Sequence, residues 1–258
     1  MKKIAIVTGA SSGMGMECAR QISNKISCIK EIWLIARRKD RMEELANSIN
    51  VPCKIIVGDL LDDRFYSKFE ELLASSDIKV KMLVNAAGFG KVGCFDEISS
   101  IDNGSMVRLN CESLTKITQC VLPYMQKKSR IINFASSAAF IPQPAFAVYA
   151  ATKSYVLSLS RALHYELKKK EIYVTAVCPG PVDTEFFIVA EEGKKKAWFK
   201  KFFMANCEKV VSKALADSID KKQMSIYGFW MNAFYKLTKI MSTNVLLKMV
   251  SSMSIKKD

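Results

Sequence analysis

Tyr149 and Lys153 are the first residues in this sequence whose spacing suggests chemistry. They lie four residues apart in a stretch that reads as helix, so they share a face and stand in contact range. An ammonium beside a phenol favours the phenolate and is expected to lower a pKa otherwise near about 10. A tyrosine tuned in this way is a candidate proton donor or acceptor close to neutral pH. The pair alone is a common structural arrangement, and its position gives it meaning. It follows an apolar run at residues 130–135 whose end carries Ser136 and Ser137, and active sites of doubly wound sheets gather at such strand ends.

A second constellation stands at the start of the chain. The run 4–8 leads directly into Thr8-Gly9-Ala10-Ser11-Ser12-Gly13-Met14-Gly15 and then into a helical stretch. Glycines there permit a tight turn and a close backbone approach by a pyrophosphate, which can sit among the free N–H groups of the helix start. The spacing is Gly-x-x-x-Gly-x-Gly, and no Gly-Lys-Ser/Thr follows to make a Walker A loop. At the end of the second apolar run, an NAD-selective site wants an acidic side chain for the ribose hydroxyls. This chain has Ala36-Arg37-Arg38 instead, and a guanidinium matches the 2′-phosphate of NADP. Ser11 or Ser12 can add a hydroxyl to the same phosphate. Asp59, beside Leu60, is placed either to accept from the adenine amine or to cap the next helix. In Asn85-Ala86-Ala87-Gly88, small residues admit a ligand close to the backbone, and an amide can tie neighbouring strand ends together.

Placing these groups on one edge requires a parallel sheet. Apolar runs at 4–8, 31–36, 54–57, 82–85, 130–135 and 173–177 alternate with helical stretches at 15–25, 39–50, 64–75, 105–126 and 149–170. That alternation is the signature of βαβ units. A seventh short strand is expected near 225–227, after a helix starting near Glu208. The predicted architecture is a single-domain Rossmann-type α/β fold, a doubly wound parallel sheet of about seven strands over residues 1–228. Residues 229–258 form a C-terminal amphipathic helical extension, packed on the same domain or at an interface.

Taken in order, the motifs resemble the short-chain dehydrogenase/reductase family over residues 1–228. Its glycine turn corresponds to Thr8 through Gly15, its Asn-x-Ala-Gly to Asn85 through Gly88, and its Tyr-x-x-x-Lys to Tyr149 through Lys153. Ser136 stands thirteen residues before Tyr149, the spacing that the resemblance implies for the family's serine, which selects it over Ser137. Its asparagine matches Asn110 in Val107-Arg108-Leu109-Asn110. Its Pro-Gly segment matches Pro179-Gly180-Pro181-Val182-Asp183-Thr184, whose threonine holds the nicotinamide carboxamide. The resemblance implies a carbonyl reductase or alcohol dehydrogenase in which Ser136 and Tyr149 bond the substrate oxygen and Tyr149 exchanges the proton. It further implies that Lys153 holds the nicotinamide ribose and lowers the tyrosine pKa, while Asn110 positions a water leading to solvent. Phe140 departs from the family, which often has glycine there, and is expected to narrow the pocket or redirect the backbone. The competing reading is a non-catalytic nucleotide-sensing or regulatory protein on the same fold. The joint presence of Ser136, Tyr149 and Lys153 argues against it.

The rest of the composition narrows the classes. Of 258 residues half are hydrophobic, enough for a substantial core. The eight cysteines form no Cys-x-x-Cys pair, which suits reduced thiols in a cytoplasmic protein. One histidine, His164, leaves no basis for a histidine metal centre or a Ser-His-Asp triad, so no metal is expected. The net charge of +14 is not organised into any nucleic-acid module. Met1-Lys2-Lys3 runs into a strand-like segment rather than a signal-peptide core.

Residues 181–206 form a long connection. Its Phe186, Phe187, Ile188, Trp198, Phe199, Phe202 and Phe203 suggest an apolar lid, and hence a steroid, lipid-like or other hydrophobic ketone or aldehyde as substrate. Residues 229–258 read as two short amphipathic helices joined near Ser242-Thr243-Asn244. They are fitted to an interface, to the chain's own substrate loop, or to an anionic membrane surface. A homodimer or homotetramer is expected through the helices carrying Asn110 and Tyr149.

Overall fold

The computed structural model describes residues 1–186, 190 and 204–254, with side chains as far as 248. Phe187, Ile188, Trp198, Phe199, Phe202 and Phe203, expected as part of a lid, lie outside the described residues, as do Lys194–Lys196 and Lys200–Lys201. Seven strands form one sheet in the order β3-β2-β1-β4-β5-β6-β7: β1 Lys2–Thr8, β2 Glu31–Ala36, β3 Cys53–Val57, β4 Ile78–Asn85, β5 Met125–Phe134, β6 Ile172–Val177 and β7 Met224–Ser225. Every pairing is parallel. The order reverses direction at β1 and β4, and a crevice opens beyond the strand ends at such a point.

Helices cover both faces, which explains why the strands read as unbroken apolar runs. Ile4 and Ile6 of β1 point to one side, with Trp33, Leu83 and Ile131. Helices α3 (Asp63–Ala74) and α5 (Leu114–Val121) cover that side through Phe69, Leu73 and Ile117. Ala5 and Val7 point to the other side, with Leu34, Val84 and Ile132. There they meet α1 (Gly13–Lys25), α2 (Lys39–Asn47) and α7 (Cys207–Ile219). The long α6 (Ala147–Glu166) carries Tyr149 and Lys153 and packs beside β5 and β6.

Two predicted elements differ in outcome. The helix expected over 105–126 is instead α4 (Ser100–Val107), a π-helical stretch Arg108–Ser113, α5, and a short 3-10 turn Leu122–Tyr124. β5 then begins at Met125, five residues earlier than its apolar core suggests, through a β-bulge-like register shift against β4 near Lys128, whose φ is +63°. The tail forms α8 (Phe229–Ile240) and α9 (Thr243–Ser254), joined where Ser242 and its neighbours predicted. Leu246 of α9 is buried, and Leu247 lines an open apolar pocket of about 440 Å³ with Phe140, Ile141 and Pro144. No described helix is long and apolar enough to cross a membrane.

Candidate active site

The glycine turn links β1 to α1 and presses against the end of β4. Thr8 Oγ1 accepts from the backbone N–H groups of Ala86 (3.2 Å) and Ala87 (3.3 Å), joining the two central strand ends. Gly9 has a φ of +66°, and a Cβ there would lie 2.8 Å from the Ala87 nitrogen, so only glycine permits the contact. Gly15 packs against the Gly9 carbonyl, Met14 lies along the core, and the open side of Gly13 faces Thr184. Ser12 is the N-cap of α1, but its side chain makes no capping bond, and the first turn holds no acid. By contrast α3, α4 and α7 are capped by Asp62, Ser99 and Asn206. The start of α1 therefore keeps uncompensated N–H donors and a positive dipole end, which fits a pyrophosphate.

The two arginines separate. Arg38 turns inward: its Nε donates to Ser11 Oγ (3.3 Å), and both terminal nitrogens donate to Glu185 Oε2 at 3.0 Å. Arg37 is 73 % exposed and reaches Asp59 only at 4.0 Å. The structure thus groups Arg38, rather than Arg37, with the serine hydroxyl expected at a 2′-phosphate. Asp59 accepts from the Leu61 N–H, and the helix cap at α3 is Asp62, so the expected cap moves by three residues. Leu60 is buried, with its carbonyl accepting from Tyr66 and Ser113. Asn85 ties strand ends as expected, its amide donating to Asn133 of β5 (2.9 Å) and to Thr118 of α5 (3.0 Å).

Beyond β4 and β5, four side chains from three elements converge. Ser136 follows β5, with its Oγ accepting from the Ala138 N–H. Tyr149 and Lys153 come from the first turns of α6, both buried. Asn110 lies in the π-helical stretch, a form found often at functional sites. Its Oδ1 accepts from the Phe89 N–H (3.1 Å), and its Nδ2 donates to the Phe89 carbonyl (2.9 Å) and to Thr152 Oγ1 (3.0 Å). Thr152 in turn donates to the Tyr149 carbonyl (2.7 Å). Asn110 thereby clamps the segment after β4 onto the turn that presents the phenol. A Cβ on Gly88 would lie 2.7 Å from Asn110 Oδ1 and 3.5 Å from Lys153 Nζ. Thr152 was not singled out in the sequence, although it sits inside the Tyr-x-x-x-Lys stretch.

The electrostatics correct one expectation. Lys153 Nζ donates to the Phe134 carbonyl (2.8 Å) and lies 5.6 Å from the Tyr149 ring centre. Burial pushes the Tyr149 phenol up to about 12, and a hydrogen bond from Ser136 only partly opposes this. Burial lowers Lys153 to about 8, against the pull of Cys111 and Cys178. Desolvation, which acts on both groups, outweighs the proximity effect expected from their spacing.

Aromatic side chains wall the phenol. Phe146 stacks on Tyr149 with ring centres 4.2 Å apart, and Phe186 lies at 5.3 Å. Gly90 leaves room where a Cβ would touch all three rings. Phe140 packs on Tyr235 (4.9 Å) and Phe234 (6.2 Å) of α8, so the extra aromatic anchors the tail. Pro179 accepts from the Ser137 N–H, Gly180 lies under Met231 of α8, Val182 is buried, and Thr184 Oγ1 reaches the Val182 carbonyl at 3.5 Å. All eight cysteines are free, and no group of potential metal ligands forms among the described residues.

Comparison with known proteins agrees with this arrangement. The short chain dehydrogenase family profile matches residues 3–195. An uncharacterized oxidoreductase of Staphylococcus epidermidis is 30% identical over 197 residues, spanning 76% of this chain and 84% of that protein. A very-long-chain 3-oxoacyl-CoA reductase of Rattus norvegicus is 34% identical over 191 residues, spanning 70% of this chain and 60% of that one. A serine dehydrogenase solved in its closed form with NADP+ superposes with a TM-score of 0.77 at 27% identity, over 87% of this chain and 94% of that one. Motif order, sheet order and these likenesses agree: the chain belongs to the short-chain dehydrogenase family of oxidoreductases.

Proposed function

We propose that the protein is an NADP(H)-dependent carbonyl reductase or alcohol dehydrogenase acting on an apolar substrate. The observation that carries this reading is the buried phenol of Tyr149, with the Ser136 hydroxyl as its polar neighbour and Phe146 and Phe186 flanking it. A reacting oxygen held there meets two hydroxyl donors, while the rest of the molecule meets aromatic carbon. A hydrophobic ketone, aldehyde or acyl chain suits such a wall, and the kinship with a very-long-chain 3-oxoacyl-CoA reductase supports an acyl-type substrate.

In the reductive direction, Ser136 and Tyr149 hydrogen-bond the carbonyl oxygen and stabilise the charge that grows on it. Tyr149 then gives its proton to that oxygen. The Lys153 ammonium favours the phenolate left behind, and Asn110 keeps the α6 turn in register through Thr152 and Phe89. When bound, the nicotinamide supplies the hydride or accepts it in the reverse direction. The uncapped start of α1 would hold its pyrophosphate, and Arg38 with Ser11 the 2′-phosphate. The NADP+ held by the serine dehydrogenase relative supports that choice.

The test is coenzyme consumption with NADPH and NADH against medium- and long-chain 3-oxoacyl thioesters and bulky ketones. NADPH is expected to be preferred. Arg38→Ala should raise the KM for NADPH by about 10- to 100-fold, the worth of hydrogen bonds to a charged group, with little change for NADH. A wild-type preference for NADH, or equal losses with both coenzymes in the variant, overturns the assignment of Arg38.

A further inference from the structure

Helix α8 presents two faces of different character. Inward, Met231 sits over Gly180, and Phe234 and Tyr235 pack on Phe140, so the helix is fixed on the strand-end side of the sheet. Outward, Phe229 (77 % exposed), Trp230 (69 %), Leu237 and Ile240 (83 %) face solvent. At about 100° per residue these four fall within one stripe about 100° wide. The Phe229 and Trp230 rings meet edge-on at 5.6 Å. Lys236 and Lys239 border the stripe, both exposed, with the Lys239 ammonium over the Tyr235 ring at 5.4 Å. Val245 of α9 adds a further exposed apolar side chain after the turn.

We propose that this face docks the protein on an anionic lipid surface, with α8 lying in the plane of the headgroups. A tryptophan and a phenylalanine beside lysines are the residue types that anchor a helix at that depth. Charge selects the occupant: the chain carries +14, so a second copy would set like charge against like, whereas anionic headgroups complement it. No described helix can span a bilayer, so attachment is peripheral. Docking in this way brings the side of the sheet roofed by Met231 and Tyr235 to the lipid interface.

The experiment is sedimentation of the full chain with vesicles of phosphatidylcholine alone and of phosphatidylcholine mixed with phosphatidylserine. Binding is expected only to the anionic vesicles and should weaken as salt is raised. Phe229→Ser/Trp230→Ser should weaken it at least about tenfold. Lys236→Gln/Lys239→Gln should weaken it by about 25-fold, at roughly fivefold per lysine. Both variants should keep the wild-type circular dichroism and vesicle-free turnover. In a Trp198→Phe background, Trp230 emission should shift to the blue and resist iodide quenching only with anionic vesicles. Absence of binding to anionic vesicles, or binding that the apolar variant leaves unchanged, overturns the proposal. So does conversion of a dimer to a monomer by that variant, which assigns the face to a second copy.

Discussion

The sheet's C-terminal edge carries two regions that handle charge in opposite ways. At the nucleotide end the charged groups stay wet: Arg37 and Arg38 keep much of their surface in solvent, and the N-terminus of α1 is left uncapped. At the chemical end Tyr149 and Lys153 are buried, and desolvation moves the phenol up and the lysine down. Exposed cations recognise a highly charged ligand without a large desolvation cost, whereas proton transfer profits from a dry site where each donor counts for more. Substitutions at the two ends should therefore separate binding from turnover.

The largest separation is expected from Tyr149→Phe. Loss of the proton donor should cut kcat about 10³-fold, within the usual range for general acid catalysis, while the affinity for NADPH measured by fluorescence titration changes little. Turnover near the wild-type level would remove Tyr149 from the reaction. At the nucleotide end, Gly9→Ala puts a Cβ against the Ala86 and Ala87 backbone at a positive φ. It should lower the stability measured by urea unfolding by about 3 kcal/mol. An unchanged urea midpoint would mean that the join between the β1 and β4 ends yields freely.

These ends were not equally legible in the sequence. The nucleotide turn is contiguous, so its residue types and spacing in Gly9, Gly13 and Gly15 carry the reading with little help from the fold. The chemical end is assembled from distant segments, and Ser136 was separable from Ser137 only by its distance from Tyr149. The π-helical stretch around Asn110 left no mark, because the apolar pattern from 105 to 126 suits one continuous helix. The four-residue spacing put tyrosine and lysine on one helix, where the structure has them, but their pKa values were not readable from it. Burial depends on Phe146, Phe186 and the strand ends, none of which is encoded in a four-residue spacing. Phe140 looked like a pocket residue because its partners on α8 lie about ninety residues away.

The dryness of the chemical end can also be tested through pH. Tyr149, held up to about 12, keeps its proton throughout the neutral range, so it is not the group that limits reduction there. Lys153 at about 8 carries its charge below that pH and loses it above. With the ammonium gone, phenolate formation is no longer assisted. The kcat/KM for reduction should be flat below about pH 8 and fall by up to about tenfold per unit above it. Lys153→Arg keeps the charge at all accessible pH and should remove the break, even at a lower absolute rate. A break that persists in the variant belongs to another group.

The smallest effect is expected where the two regions touch. Arg38 at the nucleotide end is held by Glu185, and the next residue, Phe186, packs on Tyr149 at the chemical end. A 2′-phosphate arriving at Arg38 must compete with that carboxylate. The pair is about half exposed on each side, so its strength is that of a surface ion pair, at most about 1 kcal/mol. Glu185→Gln should then lower the KM for NADPH by about two- to fivefold and leave that for NADH unchanged. A shift in both coenzymes' KM would show that Glu185 shapes the connection rather than competing for the arginine. A fall in kcat in the same variant would show that the pair also holds Phe186 against the phenol, so that the wet and dry ends are mechanically joined.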